Sequence, residues 1–430
     1  MSRGETVNIG MLGMGTVGGG VAEIIERSGE ALADKTGIGI ELRRVLVRDL
    51  SRSRAVSLPP QTLTTDPDAV IKDPSIDIVV ELMGGIEPAR TLISAALQEK
   101  KSVVTANKDL MARHGRELSR LAHRHGREIY YEASVGGGIP LIRPLRRCLV
   151  ANQIERMVGI INGTTNYILT RMSLEGMDFE DALKKARDLG FAEADPTNDL
   201  EGMDAAYKLT ILAGLAFNCA LSPDDFSIEG ISGVTGADIF YARELGYTIK
   251  LLATAGQKPA GLALGVYPAL VPLSHPLATV HDEFNAIFIT GDLTGDLMFY
   301  GRGAGARPTA GAVVADIVEA VCSLRGIGGA GLPPGMERKI TPLPPAALSS
   351  RFYVRLLAGD RPGVFGTLAT AFGEEGVSLD MIIQKRKANG TAEIVLVTHD
   401  VNEERFYRSL EKVIQLPAIE PGPGVFRVLG

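Results

Sequence analysis

Short hydrophobic runs alternate with longer amphipathic stretches in the first third of the chain. Apolar runs at residues 7–12, 40–47, 76–82 and 102–106 are each followed by a segment with helical periodicity. Strands that alternate with helices in this way predict an α/β fold with a parallel, doubly wound sheet. In such a sheet, ligands bind beyond the carboxyl ends of the strands.

The pattern changes beyond residue 153. Predicted strands such as 247–255 and 262–271 follow one another with short connections, which predicts an α+β domain with an antiparallel or mixed sheet. After a glycine- and proline-rich stretch, a β-α-β-β-α-β order typical of a ferredoxin-like domain follows. We therefore divide the chain into domains at 1–133, 134–300 and 349–430, with 326–348 as a linker and about 301–325 returning to the first domain.

The helix predicted at residues 205–217 is apolar on nearly every side, and Lys208 is its only charged residue. An unpaired ammonium group in such surroundings is costly. Asp204 lies four residues earlier on the same face and can supply a partner. The two residues form either a proton-transfer pair at the mouth of a buried helix or an ordinary i,i+4 salt bridge.

Two turns upstream of this helix have recognisable signals. The helix at 179–189 is predicted to end with Gly190 as its C′ residue. The polar turn at 162–166 opens another helix, for which a threonine is the predicted N-cap.

Composition narrows the class of protein. Of the 430 residues, 45% are hydrophobic and 22% charged, as in globular proteins. A net charge of −6 gives no electrostatic reason to bind nucleic acid or an anionic membrane. Cys148, Cys219 and Cys322 lack CxxC spacing, which favours a reducing compartment over a disulfide framework or a zinc site. The sequence shows no 18-residue apolar run and no leader pattern, so we expect a cytoplasmic protein.

The first apolar run leads into a glycine-rich turn and then a helix. The turn reads Gly13-Met-Gly15-Thr-Val-Gly18, the dinucleotide-binding fingerprint in its required strand–turn–helix context. Gly13 permits the tight turn, Gly15 lets the backbone approach a pyrophosphate, and Gly18 lets the helix pack on the strand. The amides of Thr16 and Val17 would face the phosphates. We therefore expect a Rossmann-type NAD(P)-binding domain.

The end of the second predicted strand bears on the choice of cofactor. An acidic residue there usually binds the ribose hydroxyls of NAD, whereas an arginine accommodates the 2′-phosphate of NADP. The chain has both, as Arg48 followed by Asp49. We expect NADP to be preferred and NAD to be tolerated. The spacing from the glycine turn is longer than usual, and residues 28–39 look like an insertion.

Three further segments are candidate binding sites. Lys108 follows the strand at 102–106, where it would contact a substrate or simply face solvent. A glycine-rich turn at 301–309 opens a helix and is a second platform for a phosphate or a nicotinamide. Residues 132–140 combine Glu132 with three successive glycines, which suits either a hard cation with oxygen ligands or a hinge between domains.

These motifs, in this order, resemble those of homoserine dehydrogenase. They are GMGTVG, TANKD, YYEASVGGGIP, NGTTNYIL, GFAEADPTNDLEGMDAAYK and YGRGAGARPTA. The resemblance covers about residues 7–325. It implies NAD(P)-dependent interconversion of L-homoserine and L-aspartate 4-semialdehyde, in the biosynthesis of threonine, methionine and isoleucine. Residues 134–300 would then form the substrate-binding and dimerisation domain, and we expect a homodimer or homotetramer.

The resemblance also implies roles for individual residues. Lys208 would be the proton donor, with Asp204 and Lys108 beside it, and Glu193, Asp204 and Lys108 would bind the substrate. With the residues derived above, the expected cofactor contacts are Gly13, Gly15, Thr16, Val17, Gly18, Arg48, Lys108, Gly190, Gly303 and Gly305. The resemblance further implies a sodium site formed by Glu132 and the carbonyls of Val135, Gly137 and Ile139.

The C-terminal segment resembles an ACT regulatory domain. Its turn Asp360-Arg-Pro-Gly363 opens a helix, and in ACT domains such a turn typically binds an amino acid between paired domains. L-Threonine is an end product of the implied pathway, so we expect it to inhibit. The linker suggests coupling through pairing between subunits, and truncation after about Arg325 would leave an active, threonine-insensitive enzyme. The alternative is a dimerisation module with a silent pocket.

Two rival functions use similar parts. An amino-acid sensor on a retained dehydrogenase scaffold would not need Lys108, Asp204 and Lys208 together. An aldehyde dehydrogenase acting on the same semialdehyde would need a cysteine nucleophile in an active-site turn, and none of the three cysteines is placed in one. The oxidoreductase is therefore the favoured function.

Overall fold

The structure, a computed structural model, describes residues 6–54, 56, 58–326, 341–386 and 390–429. Its helices are α1 (Thr16–Thr36), α2 (Asp68–Ile71), α3 (Ala89–Gln98), α4 (Lys108–Arg124), α5 (Gly163–Glu175), α6 (Phe179–Asp188), α7 (Thr197–Leu200), α8 (Met203–Ala216), α9 (Gly236–Glu244), α10 (Ala306–Leu324), α11 (Val364–Glu374) and α12 (Glu403–Ile414). Within these described ranges, no helix is long and apolar enough to cross a bilayer.

The strands are β1 (Thr6–Leu12), β2 (Gly39–Leu46), β3 (Leu63–Thr64), β4 (Ile78–Glu81), β5 (Ser102–Thr105), β6 (Ile129–Tyr130), β7 (Ile154–Ile160), β8 (Ser227–Ile228), β9 (Tyr247–Lys258), β10 (Gly261–Pro272), β11 (Phe284–Gly291), β12 (Gly295–Arg302), β13 (Ser349–Gly359), β14 (Leu379–Arg386), β15 (Thr391–Thr398), β16 (Val401–Asn402) and β17 (Gly424–Val428). The chain divides into two compact units. The first unit comprises residues 1–154, 207–223 and 290–339, and the second comprises residues 155–206, 224–289 and 340–430.

The first unit is built on a six-stranded parallel sheet in the order β3-β2-β1-β4-β5-β6. Alternate residues of the central strand β1 point to opposite faces of the sheet. Val7, Ile9 and Met11 share one buried core with α1 and α10. On the other face, a Cβ added at Gly10 would lie 2.6 Å from Val70 of α2. Helices therefore cover both faces, which confirms the predicted doubly wound sheet.

Most of the segment that looks like an insertion in the sequence, residues 28–39, belongs to helix α1. Helix α1 continues without a break to Thr36. It ends at Gly37, whose left-handed backbone (φ 74°) directs its amide to the carbonyl of Ala33 at 2.7 Å. A long first helix therefore accounts for the wide spacing between the glycine-rich turn and Arg48.

In the second unit, the sheet is mixed, as predicted. Its strands run in the order β11-β7-β9-β10-β17-β13-β15-β14, and β9 and β10 form a long antiparallel hairpin. The C-terminal part has the predicted β-α-β-β-α-β order, completed by β17. Its core contains the stacked rings of Phe352 and Phe406, with centroids 3.7 Å apart, together with Phe372.

The sequence did not predict how the C-terminal strands join this sheet. The predicted linker, residues 326–348, lies largely outside the described residues. Beyond it, β17 pairs in parallel with β10, aligning Arg427 with Ala269 and Val428 with Leu270. The C-terminal β-sheet and the sheet of the preceding domain are therefore one hydrogen-bonded surface.

Buried charges reinforce this junction. Asp238 in the first turn of α9 is fully buried, and its carboxylate accepts a 2.6 Å hydrogen bond from Nε of Arg355 on β13. Arg355 also pairs with Glu393 at 3.3 Å, and Glu393 accepts a 2.6 Å hydrogen bond from the hydroxyl of Tyr241. Asp238 further closes a capping box with Thr235. The sequence did not predict helix α9. The helix is held by Arg355 and Glu393 of the C-terminal strands and by the capping box at its own N-terminus.

We expect Arg355→Ala to lower the free energy of unfolding by about 3–5 kcal/mol, because it leaves the buried Asp238 carboxylate without its cation. Lys385→Ala is the matched control. It breaks the exposed 2.7 Å pair between Lys385 and Glu244, which is worth about 1 kcal/mol or less. Urea denaturation measures both changes, and equal small losses would contradict the role given to the buried pair.

Candidate active site

The glycine-rich turn after β1 has the geometry that a dinucleotide fingerprint requires. Gly13 has a φ of 98°, and a Cβ there would lie 2.9 Å from the carbonyl oxygen of Leu82. A Cβ at Gly18 would lie 2.5 Å from the carbonyl oxygen of Gly13. Gly15, the N-cap of α1, has no atom within 4 Å of an added Cβ. The space above Gly15 and the helix N-terminus therefore fits a phosphate.

Arg48 and Asp49 follow the end of β2, and both are exposed. The carboxylate of Asp49 accepts hydrogen bonds from Oγ of Ser51 at 2.6 Å and from its amide at 2.8 Å. These bonds lower the pKa of Asp49. Because the carboxylate is engaged within its own turn, the strand end favours a phosphate bound by arginine over ribose hydroxyls bound by the acid.

Lys108 is the first residue of α4, at the carboxyl end of β5. The preceding Asn107 caps the helix with its side-chain oxygen, and its side-chain nitrogen donates to the carbonyl of Gly85 at 2.7 Å. The hydroxyl of Thr105 accepts a hydrogen bond from the main-chain amide of Asn107 and donates one to the buried carboxylate of Glu81 at 2.7 Å. These hydrogen bonds connect the ends of β4 and β5 and thereby fix the main-chain position of Lys108.

Sequence reasoning missed Glu81, Thr105 and Asn107 as parts of this support. Glu81 is fully buried and also accepts the amides of Met83, at 2.7 Å, and Gly84, at 3.1 Å. A signal was present, because Glu81 is the one charged residue in the otherwise apolar strand IVVE. A buried charge must be hydrogen-bonded.

Asp204 and Lys208 both lie on α8, one helical turn apart, and both are nearly buried, with 8% and 9% exposure. Asp204 and Glu193 belong to the second unit, whereas Lys208 and Lys108 belong to the first. Glu193 is exposed in the segment between α6 and α7. Gly190, which follows the C-cap of α6, has the left-handed φ of 75° expected of a C′ residue.

Asn162, not a threonine, caps α5, which corrects the sequence prediction. Its side-chain oxygen accepts the amide of Thr165 at 2.8 Å. Its side-chain nitrogen donates to two carboxylates, Asp199 at 2.7 Å and Asp204 at 2.8 Å. The hydroxyl of Thr164 does not cap the helix: it lies 2.7 Å from the carbonyl oxygen of Phe191 and 3.0 Å from Asp199, and its single proton serves one of these acceptors.

The two glycine-rich segments of the first unit pack backbone to backbone. The amide of Gly138 donates to the carbonyl of Arg302 at 3.2 Å. A Cβ on Gly137 would lie 2.6 Å from the carbonyl of Gly303. Gly305 has a φ of 123° and is the N-cap of α10. A side chain at residue 137 would therefore prevent this contact.

The carboxylate of Glu132 is not arranged as a cation ligand. One of its oxygens accepts the amides of Leu141, at 2.5 Å, and Ile142, at 2.7 Å, and the other accepts the amide of Arg143 at 2.8 Å. Its main-chain amide donates to Asp316 at 2.8 Å, and burial raises the pKa of Asp316 to about 8. The side chain instead closes the loop that contains the glycines.

Three main-chain oxygens of this loop remain suitable for a cation. The carbonyls of Val135, Gly137 and Ile139 belong to buried residues and accept no hydrogen bond from any residue that the structure describes. Buried carbonyls normally have a partner. Over the same residues, no group of three His, Cys, Asp or Glu side chains could hold a metal ion. A hard cation on carbonyl oxygens fits this loop better than a side-chain metal site.

Family models match nearly the whole chain. The model described as "Homoserine dehydrogenase, NAD binding domain" matches residues 13–132, and that described as "Homoserine dehydrogenase" matches residues 140–318. An ACT domain model matches residues 352–418.

Known proteins are similar over the same range. A homoserine dehydrogenase of Synechocystis sp. is 48% identical, over 99% of this chain and 100% of the relative. The crystal structure of a homoserine dehydrogenase from Thiobacillus denitrificans is 40% identical and superposes with a TM-score of 0.94 over 99% of both chains. A hyperthermophilic archaeal homoserine dehydrogenase, solved in complex with NADPH, is 28% identical with a TM-score of 0.63, over 74% of this chain and 98% of its own.

Proposed function

The chain belongs to the homoserine dehydrogenase family, a family of oxidoreductases, and we propose that it interconverts L-homoserine and L-aspartate 4-semialdehyde with NADP preferred over NAD. The observation that carries the proposal is the nearly buried pair Asp204 and Lys208 on α8, since a chain retained only as a sensor has no need for it. The open phosphate turn at Gly15 fits the cofactor, and the engaged Asp49 beside Arg48 supports NADP.

The chemistry divides between the cofactor and the chain. When bound, the nicotinamide supplies a hydride to the aldehyde carbon or accepts one from the alcohol. In the reductive direction, the developing alkoxide must gain a proton, and Lys208 is the donor in this proposal. Asp204, one turn earlier, keeps Lys208 cationic and binds the substrate, with Glu193 on the substrate ammonium. Lys108 binds the substrate beside the nicotinamide, and Gly190, Gly303 and Gly305 contact the cofactor.

A sodium ion would be held by main-chain oxygens in this proposal. The carbonyls of Val135, Gly137 and Ile139 would supply three ligands, as the sequence suggested. The fourth would be the carbonyl of Glu132, which accepts only the 3.3 Å bond from the amide of Val135 and keeps a second lone pair, whereas its carboxylate accepts three amides. The ion would brace the loop that packs against Gly303 and so support the cofactor platform.

We further propose that the C-terminal domain mediates feedback inhibition by L-threonine, in the pathway to threonine, methionine and isoleucine. Gly363, with a φ of 90°, is the N-cap of α11, and the exposed amides of that turn suit an amino-acid carboxylate. The pairing of β17 with β10 offers a route within one chain, so pairing between subunits is not required for coupling. Truncation after Arg325 is a poor test, because it would expose the edge of β10 and strip Asp238 of Arg355.

The first test of the proposal is homoserine-dependent NADP reduction by the parent and by Lys208→Ala. We expect the parent to be active and the variant to lose about 10²–10⁴-fold in kcat, the usual worth of general acid catalysis, with little change in NADPH affinity. Lys185→Ala, which removes an exposed lysine paired with Glu175, is the control and should keep parental turnover. Near-parental turnover of Lys208→Ala would exclude Lys208 as the proton donor.

The second test concerns the choice between cofactors. Arg48→Ala should raise KM for NADP by about tenfold or more and leave KM for NAD nearly unchanged, because it removes a charge-assisted contact to the 2′-phosphate alone. Arg43→Ala removes an arginine of β2 whose side chain is 48% exposed; it is the matched control and should affect neither cofactor. Equal losses with both cofactors would show that Arg48 serves the fold.

The third test concerns regulation. Threonine should inhibit the full chain, with a coupling of about 1–3 kcal/mol. Gly363→Val should abolish inhibition and retain activity without threonine, because valine cannot adopt the left-handed backbone of this turn. Gly373→Ala lies near the C-terminal end of α11, where an added Cβ meets no described atom within 4 Å, and should retain inhibition. If the full chain ignores threonine, the domain is an assembly module instead.

A further inference from the structure

Asn162 joins α5, α7 and the first turn of α8 through one buried side chain. It is 4% exposed and caps α5, while its amide nitrogen reaches Asp199 on α7 and Asp204 on α8. We propose that Asn162 is a positioning residue for the reaction, which holds the carboxylate of Asp204 in its working orientation. This inference rests on the proposed function, in which Asp204 acts on the substrate and on Lys208.

Every hydrogen-bonding position of the Asn162 side chain has a use. The oxygen accepts from the amide of Thr165 at 2.8 Å and from its hydroxyl at 2.9 Å. The two N–H groups go to the two carboxylates. Asparagine combines an acceptor and two donors on a short stem. A serine can cap the helix but lacks the two amide donors, and an aspartate can cap it but has no donor when ionised.

The need for such a group follows from electrostatics. Asp199 and Asp204 both lie within hydrogen-bond distance of the same nitrogen, so their carboxylates are a few ångströms apart. Two carboxylates at that distance repel, and repulsion favours protonation of one of them. N–H donors aimed at ionised oxygens offset the repulsion. Asn162 gives one of these donors to Asp204 at 2.8 Å, and the hydroxyl of Thr164 lies 3.0 Å from the other oxygen of Asp199.

A second buried asparagine on α5 provides a matched comparison. Asn166 lies one turn after Asn162 and is 1% exposed. Its amide donates to main-chain carbonyls, those of Asp282 at 2.9 Å and Phe284 at 3.1 Å among them, and its oxygen accepts from Lys250 at 2.9 Å. It therefore supports the fold without contacting either carboxylate.

The experiment compares Asn162→Ser, Asn162→Asp and Asn166→Ser in the full chain, with L-homoserine and NADP. Asn162→Ser keeps a capping oxygen and should lose about 10–100-fold in kcat/KM for homoserine, the range for a misplaced reacting group, with unchanged NADPH affinity. Asn166→Ser should lower Tm at least as much as Asn162→Ser does, because it removes hydrogen bonds to main-chain carbonyls. It should keep kcat/KM within about threefold, because the hydrogen bonds to Asp199 and Asp204 remain.

The pH dependence separates positioning from a general loss of structure. Asn162→Asp places a third carboxylate beside Asp199 and Asp204, which raises the pKa of the group, so the acid limb of the kcat profile should move up by about one pH unit or more. Asn166→Ser should leave that limb in place.

The outcomes are distinct. If the parent oxidises homoserine but Asn162→Ser matches it, or if Asn162→Ser and Asn166→Ser lose activity alike with no shift of the acid limb in Asn162→Asp, the inference is wrong and the proposed function stands. If the parent does not act on homoserine at all, the proposed function fails and the inference falls with it.

Discussion

A buried carboxylate must be hydrogen-bonded or paired, and this constraint shapes both units of the protein. Glu81 at the end of β4 is held by main-chain amides and Thr105, and Glu132 after β6 by three main-chain amides. Asp238 on α9 is held by Arg355, and Asp204 on α8 by Asn162. Each acid lies at the end of a strand or in the first turn of a helix. Its hydrogen bonds fix the backbone at the place where a glycine-rich loop or a proposed catalytic side chain begins.

The same constraint links the C-terminal domain to the domain that precedes it. Its strand β13 supplies the arginine that neutralises Asp238, and its strand β17 completes the hydrogen bonding of β10. Arg427 of β17 adds a buried pair with Glu403 at 2.8 Å and a contact with Glu229 at 2.6 Å. A change in the C-terminal sheet can therefore reach the preceding domain through direct bonds. Small shifts in packed, bistable surfaces are the usual means of such transmission.

Local patterns were sufficient to predict most of the elements and the cofactor turn. The roles of Gly13, Gly15 and Gly18 follow from the φ angles and close approaches that a strand–turn–helix unit requires, and the alternation of strands and helices determines the sheet type. Pairings between distant segments left no local signal. Three such contacts join residues far apart in the chain. They are the bond from Asn162 to Asp204, the pairing of β17 with β10, and the bond from Arg355 to the buried Asp238. Where the local signal was ambiguous, as in the polar turn before α5, it led to a wrong prediction of a threonine cap in place of Asn162.

The central claim is that the pair on α8 serves reduction of the semialdehyde to homoserine. The most direct measurement is the product formed by the parent from L-aspartate 4-semialdehyde and NADPH, identified by chiral chromatography and counted against the NADPH consumed. The account predicts L-homoserine in amounts equal to the NADPH oxidised. NADPH oxidation that yields another product, or no oxidation that depends on the semialdehyde, would contradict it.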